Sequence, residues 1–224
     1  MWKLVKKILV LIFIIQLLYI VVCRWIDPPI TITQTVNLFA GYGLQRDYIS
    51  YDEMGRNIKL AVMASEDQLF PEHDGFDIKS IKKAMKYNEK HPNKTRGAST
   101  ISQQTAKNVF LWQHGGFFRK GLEVYFTFMI EMFWGKKRIL ETYLNVAEMG
   151  KGIFGVQAAS RAYFNKDAIN LTKREAAMIA ACLPNPKKFS VQPACRYVNV
   201  RTPRIMNQMS NLEGDSDIEG LLKK

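Results

Sequence analysis

The first hydrophobic feature of the chain is a long apolar run close to its N-terminus. ILVLIFIIQLLYIVVC, residues 8–23, is interrupted only by Gln16 and the hydroxyl of Tyr19. With the apolar residues on either side, the run reaches the ~20 residues that a helix needs to cross a bilayer. We therefore predict that residues 1–26 form a membrane anchor. The bulky sequence IVVCRWIDPP lacks the small residues of a cleavage site, which favours an uncleaved anchor over a signal peptide.

Beyond the anchor the pattern of apolar positions changes twice. Residues 27–48 combine Pro28 and Pro29 with several β-branched residues, which predicts an extended tether. From about residue 49 apolar residues recur at helical spacing, and Thr172 and Glu175 have the spacing of a capping box. The predicted helical segments are 57–70, 78–91, 100–111, 117–134, 136–150, 155–164 and 172–183, with a loop at 92–98. We predict one mainly helical domain over residues 49–212 with little sheet, followed by a frayed polar tail over residues 213–224.

Charge narrows the classes of partner. The chain carries a net charge of +12, and four basic residues (Lys3, Lys6, Lys7 and Arg24) flank the apolar run, which leaves about +8 for the body. A basic body fits nucleic acid, an anionic membrane surface or a phosphate-bearing substrate. Because lysines precede the run, the positive-inside rule places the N-terminus in the cytoplasm and the body on the outer side, where we expect no nucleic acid.

The cysteines leave two alternatives open. Cys23 lies in the anchor, so Cys182 and Cys195 are the pair that could form a disulfide in an oxidising compartment. Alternatively, Cys182 is a buried thiol, because it ends the apolar run AAMIAAC. We favour the buried thiol.

The most acidic segment of the body is ASEDQLFPEHDGFD, residues 64–77, which begins at the end of a predicted helix. Its acids could simply be a solvated helix end, or Glu66 could do acid–base chemistry. A zinc site is not favoured, because His73 is the one histidine of the segment and has no second histidine at helical spacing. Coordination of a hard cation by Asp67 or Asp77 remains an alternative.

A second polar segment is RGASTISQQTAKN, residues 96–108. We predict a helix capped by Ser99, in which Ser99, Gln103 and Lys107 share one face. Such a stripe is either plain surface or, because it follows a glycine-containing loop at a helix start, a site for a phosphate or a sugar.

A third group of charges lies in an otherwise apolar helix. Arg119 and Glu123 are four residues apart, and Lys120 is adjacent to Arg119. They could be a surface ion pair of little energetic value, or they could meet in a cleft. Together, Glu66 and Glu123 would supply the two carboxylates used in chemistry at the anomeric carbon of a sugar.

These segments together resemble a known family. EDQLFPEHDGFD, RGASTISQQTAKN, RKGLE, KKRILETYLN and RAYFNK occur in the order and near the spacing of the five motifs of the peptidoglycan glycosyltransferases. That family forms the polymerising domain of bifunctional penicillin-binding proteins and also occurs alone. No transpeptidase domain follows here, so the expectation is a monofunctional member. The resemblance implies a lysozyme-like, mainly α (α+β) fold with two lobes, in a single catalytic domain behind a transmembrane helix.

The resemblance also implies a reaction. Members join the disaccharide units of lipid II into β-1,4-linked glycan strands, with inversion at the anomeric carbon and release of undecaprenyl diphosphate. By motif position, Glu66 is the general base and Glu123 the second essential carboxylate. The residues expected to bind substrate are Asp67, Ser99, Thr100, Gln103, Gln104, Lys107, Arg119 and Lys120. Those expected to support the site are Phe70, His73, Gly75, Glu141 and Asn145.

Further expectations follow from the same resemblance. Lipid II, the lipid-linked glycan strand and membrane lipids are the expected partners, with other cell-wall synthesis or division proteins as additional candidates. The expected location is the bacterial cytoplasmic (inner) membrane, crossed once, with the domain on the periplasmic side. No cofactor is obligatory, no metal ligand is certain, and a divalent cation (Mg or Mn) is an optional addition. The sequence departs from the family at Gly115, where relatives commonly carry arginine, and at Ser102, where threonine is more usual.

Two other functions fit part of this pattern. A lysozyme-like peptidoglycan-cleaving enzyme would also use a glutamate in a helical fold, but it has less need of Lys107, Arg119 and Lys120, because its substrate carries no diphosphate. A non-catalytic, membrane-anchored scaffold for cell-wall assembly would need none of these residues.

Overall fold

The computed structural model describes residues 1–92, 96–113 and 115–223. Part of the predicted loop at 92–98 therefore lies outside the described residues. The helices are α1 (Trp2–Val22), α2 (Ile32–Phe39), α3 (Arg56–Glu66), α4 (Ile78–Lys90), α5 (Ile101–Phe110), α6 (Phe117–Phe133), α7 (Gly135–Val146), α8 (Val156–Phe164), α9 (Lys173–Cys182), α10 (Arg196–Leu212) and α11 (Ser216–Leu222). Three short strands, β1 (Gln45–Arg46), β2 (Glu148–Gly150) and β3 (Ile153–Phe154), form a sheet in the order β1-β3-β2. The prediction of a mainly helical fold with little sheet is confirmed.

The body is built from two groups of packed helices. In one, α3 packs against α9 and α10, and α9 is buried from Ala176 to Cys182. Its alanines allow close approach, because they present only a methyl group to the neighbouring helix. In the other group, α5 packs against α6 and α7 through buried residues such as Ile101, Ile130 and Leu140. Tyr143 of α7 and Glu66 at the end of α3 bring the two groups together around α5.

Helix α1 is long and apolar enough to cross a membrane, and most of its surface is exposed. Its C-terminal part nevertheless packs on α6. The Tyr125 hydroxyl donates a hydrogen bond to Gln16 Oε1 at 3.1 Å, and Trp134 Nε1 donates to the carbonyl oxygen of Ile20 at 2.7 Å. Arg138 donates to the carbonyl of Cys23 at 3.0 Å. The end of the anchor is therefore part of the folded body.

The predicted extended conformation of residues 27–48 is wrong over α2. Thr31 caps this helix, and Gln34 completes a capping box by accepting a hydrogen bond from the Thr31 backbone. Pro28 and Pro29 precede the cap, so they do not interrupt the helix. Burial of Gln34 and Asn37 then fixes α2 on the body.

The predicted fraying of residues 213–224 is also wrong over α11. Asp215 accepts hydrogen bonds from the backbone N–H groups of Asp217 and Ile218, which caps the helix. Ile218 is buried, and Arg56 of α3 donates to Glu219 at 2.8 Å. Contacts with residues far away in the sequence therefore stabilise α11, although the segment itself is polar.

The capping box predicted at the start of α9 is confirmed, because Thr172 and Glu175 form it.

The prediction of a buried thiol at Cys182 is also confirmed, because its side chain is fully buried and donates to the carbonyl of Met149 at 3.1 Å. Burial raises the pKa of this thiol to about 12, so it stays protonated. Cys23, Cys182 and Cys195 are all free.

Candidate active site

Glu66 is the last residue of α3 and is held between α3 and α5. Its Oε2 accepts a hydrogen bond from Gln104 Nε2 at 2.9 Å, and its Oε1 accepts one from the Ser65 hydroxyl at 2.9 Å. Tyr143 in turn donates to Gln104 Oε1 at 3.2 Å. Burial, with a smaller contribution from Glu66, raises the pKa of Tyr143 well above its usual range, so its hydroxyl remains a donor. The amide N–H of Gln104 must then face Glu66.

Asp67, the residue after Glu66, is used to hold the start of α5. Its Oδ2 accepts from the backbone N–H of Ile101 at 2.9 Å, and His73 Nε2 lies 3.0 Å from its Oδ1. The other ring nitrogen of His73 accepts from the N–H of Gly75 at 3.2 Å, so Nε2 carries the proton that is donated to Asp67. Both oxygens of Asp67 thus have protein partners, while its predicted contact with substrate stays a prediction.

The start of α5 corrects one prediction. Thr100, not Ser99, is the N-cap, and Gln103 completes the capping box with it. The Gln103 amide is therefore committed to the backbone and buried, and Thr100 donates its hydroxyl to the carbonyl of Gly75 at 2.7 Å. Ser99 is exposed before the helix begins. The prediction that Ser99, Gln103 and Lys107 share one helix face is therefore wrong. Ser99 lies before the helix, and the Gln103 side chain is hydrogen-bonded to the Thr100 backbone.

A partly buried group of side chains next to His73 was not predicted from the sequence. Lys136 Nζ donates to Glu131 at 2.7 Å and also contacts the carbonyl oxygen of His73. The Ser102 hydroxyl donates to the same Glu131 carboxylate. Lys136 Nζ also lies 4.8 Å from the ring centroid of Phe70, which is fully buried. These contacts fix the turn that carries His73 against α5 and α6.

Gly75 sits in that turn with φ of +86°. A Cβ at this position would approach Thr127 Cγ2 to 2.8 Å, so both the backbone conformation and the space require glycine. The two predicted support residues on α7 contact a different segment: Glu141 accepts from the Tyr51 backbone N–H at 2.8 Å, and Asn145 donates to the Ile49 carbonyl at 3.0 Å. Both side chains thus attach α7 to the segment before α3.

Helix α6 contributes a buried carboxylate between two cations. Glu123 Oε2 accepts from Arg119 at 2.7 Å, and its other oxygen accepts from Lys120. Only 3% of the Glu123 side chain is exposed, against 45% for Lys120. Arg119 Nε is buried without a hydrogen-bond partner among the described residues. The pair of Arg119 and Glu123 is therefore not a plain surface ion pair, because both side chains are largely buried.

Lys107 on α5 belongs to the same electrostatic group. Burial lowers its pKa, and the nearby charges of Arg119 and Lys120 lower it further, while Glu123 and Glu66 oppose the shift. In the described part of the chain Lys107 has no ion pair within 4.0 Å. Three cations with one carboxylate leave this region with an excess of positive charge, suited to a multiply charged anion.

Two cavities flank the Glu66–Gln104 hydrogen bond. The larger, of about 430 Å³, is lined by residues of α2, by Gln104 and Lys107, and by Trp112, Tyr143, Glu148 and Asn185. The smaller, of about 280 Å³, is lined by Glu66 and Asp67, by residues of α4, and by the segment 96–100. We call them the Lys107 cavity and the Glu66 cavity. Among the described residues they share no lining residue, so Ser99 and Lys107 face different spaces.

No metal centre is preformed in residues 1–92, 96–113 and 115–223, where no three His, Cys, Asp or Glu residues are arranged to hold an ion. The carboxylates of the site are engaged elsewhere: Glu123 with its two cations, and Asp67 with His73 and Ile101. The optional Mg or Mn is therefore a poor fit to these side chains alone.

Comparison with known proteins agrees with this geometry. Residues 33–210 match the family model described as Transglycosylase, which begins inside α2, ends inside α10 and includes every candidate residue of the site. This chain belongs to the transglycosylase family. It is 53% identical over 174 residues to the biosynthetic peptidoglycan transglycosylases of Escherichia coli (strain K12 / DH10B) and Shigella boydii serotype 4 (strain Sb227). In each case the match covers 78% of this chain and 72% of the relative.

Tyr143 is a buried residue of α7 whose contribution to the site is not evident from the apolar pattern of the sequence. Tyr143 follows Ile139 by four residues on the buried face of α7, so its position predicts packing only. In this transglycosylase its hydroxyl instead orients Gln104 toward Glu66. The match also begins at Thr33 inside α2, so the family region includes part of the segment predicted as a tether.

Proposed function

We propose that this transglycosylase is a peptidoglycan glycosyltransferase that polymerises lipid II into β-1,4-linked glycan strands and releases undecaprenyl diphosphate. One observation carries the proposal. A carboxylate oriented for proton transfer, Glu66, lies beside a group of cations formed by Lys107, Arg119 and Lys120 around a buried Glu123. A base and an anion site side by side suit a sugar transfer whose leaving group is a diphosphate.

Glu66 acts as the general base in this proposal. The acceptor is the 4-hydroxyl of a GlcNAc, and its proton passes to the Glu66 carboxylate as the oxygen attacks C1 of the donor MurNAc. Gln104 holds one carboxylate oxygen, and Ser65 holds the other, so the side chain has a fixed direction. A positioned base contributes more than a mobile one, because its orientation is established before reaction.

The cations act on the leaving group. As the new C1–O bond forms, the bond from C1 to the lipid diphosphate breaks, and its electrons leave on the diphosphate. The leaving group therefore needs charge stabilisation more than a proton. Arg119 has a buried Nε without a protein partner among the described residues, and Lys107 has no ion pair there, so both are ready to bind an anion. Glu123 orients Arg119 and Lys120.

The polar residues around this centre complete the proposed substrate site. Gln104 borders the Lys107 cavity, where the donor strand would extend past Trp112 and Asn185. Ser99 and Thr100 border the Glu66 cavity on the opposite side. Gln103 and Asp67 act by holding the start of α5 in place. Any Mg or Mn that takes part would bind through the diphosphate oxygens, because the nearby carboxylates are engaged.

The position of α1 supports a membrane location for the enzyme. The proposed arrangement is a single crossing of the bacterial cytoplasmic membrane, with the N-terminus in the cytoplasm and the domain outside, as the leading lysines favour. Exposed Phe117, Phe118 and Phe128 lie on α6, which packs on α1, and this supports contact with membrane lipids. Other cell-wall synthesis or division proteins remain proposed partners.

The two rival functions have less support. A peptidoglycan-cleaving enzyme gains nothing from the three cations beside Glu123, because its substrate has no diphosphate to receive them. A non-catalytic scaffold has no use for the oriented Tyr143–Gln104–Glu66 arrangement.

The test is incubation of the detergent-solubilised protein with labelled lipid II, next to Glu66→Gln and Glu72→Gln. Glu72 is an exposed carboxylate of the same segment, so it controls for the loss of one negative charge. We expect lysozyme-digestible strands from the parent and from Glu72→Gln, and none from Glu66→Gln. Strands from all three would remove Glu66 as the base, and cleavage of preformed glycan without polymerisation would support the hydrolase. A folded parent that does neither would support the scaffold.

A further inference from the structure

The Glu66 cavity contains two cations that the proposed chemistry has not used. Lys83 of α4 and Arg96, in the segment before α5, line it together with Glu66. Across the described residues, neither side chain forms an ion pair with a carboxylate. Arg119 and Lys136, in contrast, pair with Glu123 and Glu131.

The three carboxylates that line this cavity accept hydrogen bonds from groups other than the two cations. Asp67 is occupied by His73 and the Ile101 N–H. Asp77 caps α4 by accepting from the backbone N–H of Ser80 at 2.9 Å. Glu66 is occupied by Ser65 and Gln104. The carboxylates keep their charge, but among the described residues none lies within 4.0 Å of the Lys83 or Arg96 cation, so both cations are free to bind an anion.

Arg96 is exposed, but it has fixed contacts with α4. Its guanidinium carbon lies 3.7 Å from the ring centroid of Tyr87, and its backbone N–H donates to Asn88 Oδ1 at 2.7 Å. Tyr87 follows Lys83 by four residues, so both project from one face of α4. The stack on Tyr87 thus brings the guanidinium to the side of α4 that carries Lys83.

The proposed reaction brings two lipid diphosphates to the enzyme at once. Donor and acceptor each carry a lipid diphosphate, and only the donor's departs. The cations around Glu123 serve the donor, whereas Lys83 and Arg96 lie in the cavity that Glu66 lines. A base must reach the acceptor hydroxyl, so the acceptor belongs in the cavity lined by the base.

We propose that Lys83 and Arg96 bind the diphosphate of the acceptor lipid II and so position its GlcNAc 4-hydroxyl at Glu66. This inference rests on the proposed function and deepens it. It makes α4 a substrate-binding helix whose basic residues hold the incoming molecule, which must be released from this site and moved into the donor site after each addition.

The first experiment measures binding without turnover. In the Glu66→Gln background, lipid II in detergent micelles is titrated against the full chain, and its stoichiometry and affinities are measured. We expect two binding events, of which Lys83→Gln together with Arg96→Gln weakens one by about tenfold and leaves the other unchanged. Lys86→Gln is the matched control, since Lys86 is exposed on α4 but does not line the cavity. Equal weakening of both events, or of neither, would overturn the proposal.

A second arm identifies the anion. Lipid II also carries carboxylates on its peptide, so the titration is repeated with a lipid-diphosphate disaccharide that lacks the peptide. The same tenfold loss in the variant supports the diphosphate. A loss that disappears with this ligand would assign the two cations to the peptide carboxylates and overturn the proposal.

The third arm uses turnover. With a preformed lipid-linked strand as donor, the concentrations of donor and acceptor are varied separately. We expect the double variant to raise the KM for the acceptor about tenfold with the KM for the donor unchanged, and Lys83→Arg to restore part of the loss in Lys83→Gln. An inactive parent would refute the proposed function, while the binding arms would still test these two residues.

Discussion

Tyr143 and Glu66 are connected through one side chain, that of Gln104, by hydrogen bonds of 3.2 and 2.9 Å. The three residues come from α7, α5 and α3, so the orientation of the carboxylate depends on how three helices pack. Because Tyr143 donates to Gln104 Oε1, the amide cannot turn its oxygen toward Glu66 without losing that bond. The buried phenol therefore determines the hydrogen-bonding state of the proposed base.

Tyr143→Phe should lower kcat while leaving substrate binding largely intact. Without the hydroxyl, the Gln104 amide can rotate and Glu66 loses its fixed partner. We expect kcat to fall by about 3- to 10-fold with little change in KM, in line with the net value of one hydrogen bond. Steady-state polymerisation kinetics test this, with Tyr197→Phe, a change at an exposed tyrosine of α10, as the control. A kcat equal to that of the parent would show that the orientation of Gln104 does not matter.

Lys107 should give the activity a limit on the alkaline side. Burial lowers its pKa, so it loses its charge at a pH below the ordinary lysine value of about 10.4. Activity should fall as pH rises through this lowered pKa, because a neutral amine no longer stabilises the diphosphate. In Lys107→Arg the fall should move to higher pH, since arginine stays charged. The pH profile of kcat/KM measures this, and an unchanged alkaline limb in Lys107→Arg would contradict it.

The same shift has the opposite effect on stability. Between the lowered pKa of the folded state and the ordinary pKa of the unfolded state, the unfolded chain binds more protons. The free energy of unfolding should therefore gain a favourable contribution from Lys107 as pH rises through that window. Comparing urea unfolding of the parent with that of Lys107→Met at several pH values isolates this contribution, and a parent that loses stability relative to the variant in that window would contradict it.

Glu123→Gln should lower both stability and rate. The change removes the negative charge that Arg119 and Lys120 share, and Arg119 is only 13% exposed. Loss of a buried ion-pair partner costs about 3 kcal/mol. Urea unfolding gives the stability, and polymerisation at a temperature where the variant is folded gives the rate. If the folded variant kept the parent rate, Glu123 would be a purely structural residue.

Gly75→Ala should destabilise the turn that carries His73. The backbone φ of +86° and the close approach to Thr127 both oppose a side chain, so we expect a loss of about 1–3 kcal/mol. Gly121→Ala is the contrasting control, because that glycine is helical and has open space around its Cβ direction. It should stabilise the protein by about 0.5–1 kcal/mol. Equal effects of the two changes in urea unfolding would contradict the account of the turn.

The features predictable from the sequence were those with local causes. Helical spacing, the capping box at Thr172 and the pairing of Arg119 with Glu123 each depend on neighbours a few residues away. Family resemblance then implied separate roles for Glu66, as the base, and Glu123, as the second essential carboxylate, which no local pattern indicates.

The features that were missed depend on distant contacts or on competition between local signals. Ser99 and Thr100 are both good caps, and the choice of Thr100 is accompanied by its bond to Gly75, 25 residues away. Helix α11 is held by Arg56 from α3. Residues 31–34 carry a capping box, but the prolines before it drew the prediction toward an extended segment. Lys136 is adjacent to Lys137, and only the fold shows that Lys136 reaches Glu131.

The contacts of α1 with Tyr125, Trp134 and Arg138 have a geometric consequence for work at a bilayer. A catalytic domain joined to its anchor by a flexible linker samples many distances from the lipid surface. Here α1, the helix proposed to cross the bilayer, is hydrogen-bonded to the body, so its contacts would determine the height and tilt of Glu66 relative to the lipid surface. Exchanging α1 for an unrelated transmembrane helix would preserve attachment but lose those contacts. The anchor would then determine the distance of the active site from the membrane as well as attach the enzyme to it.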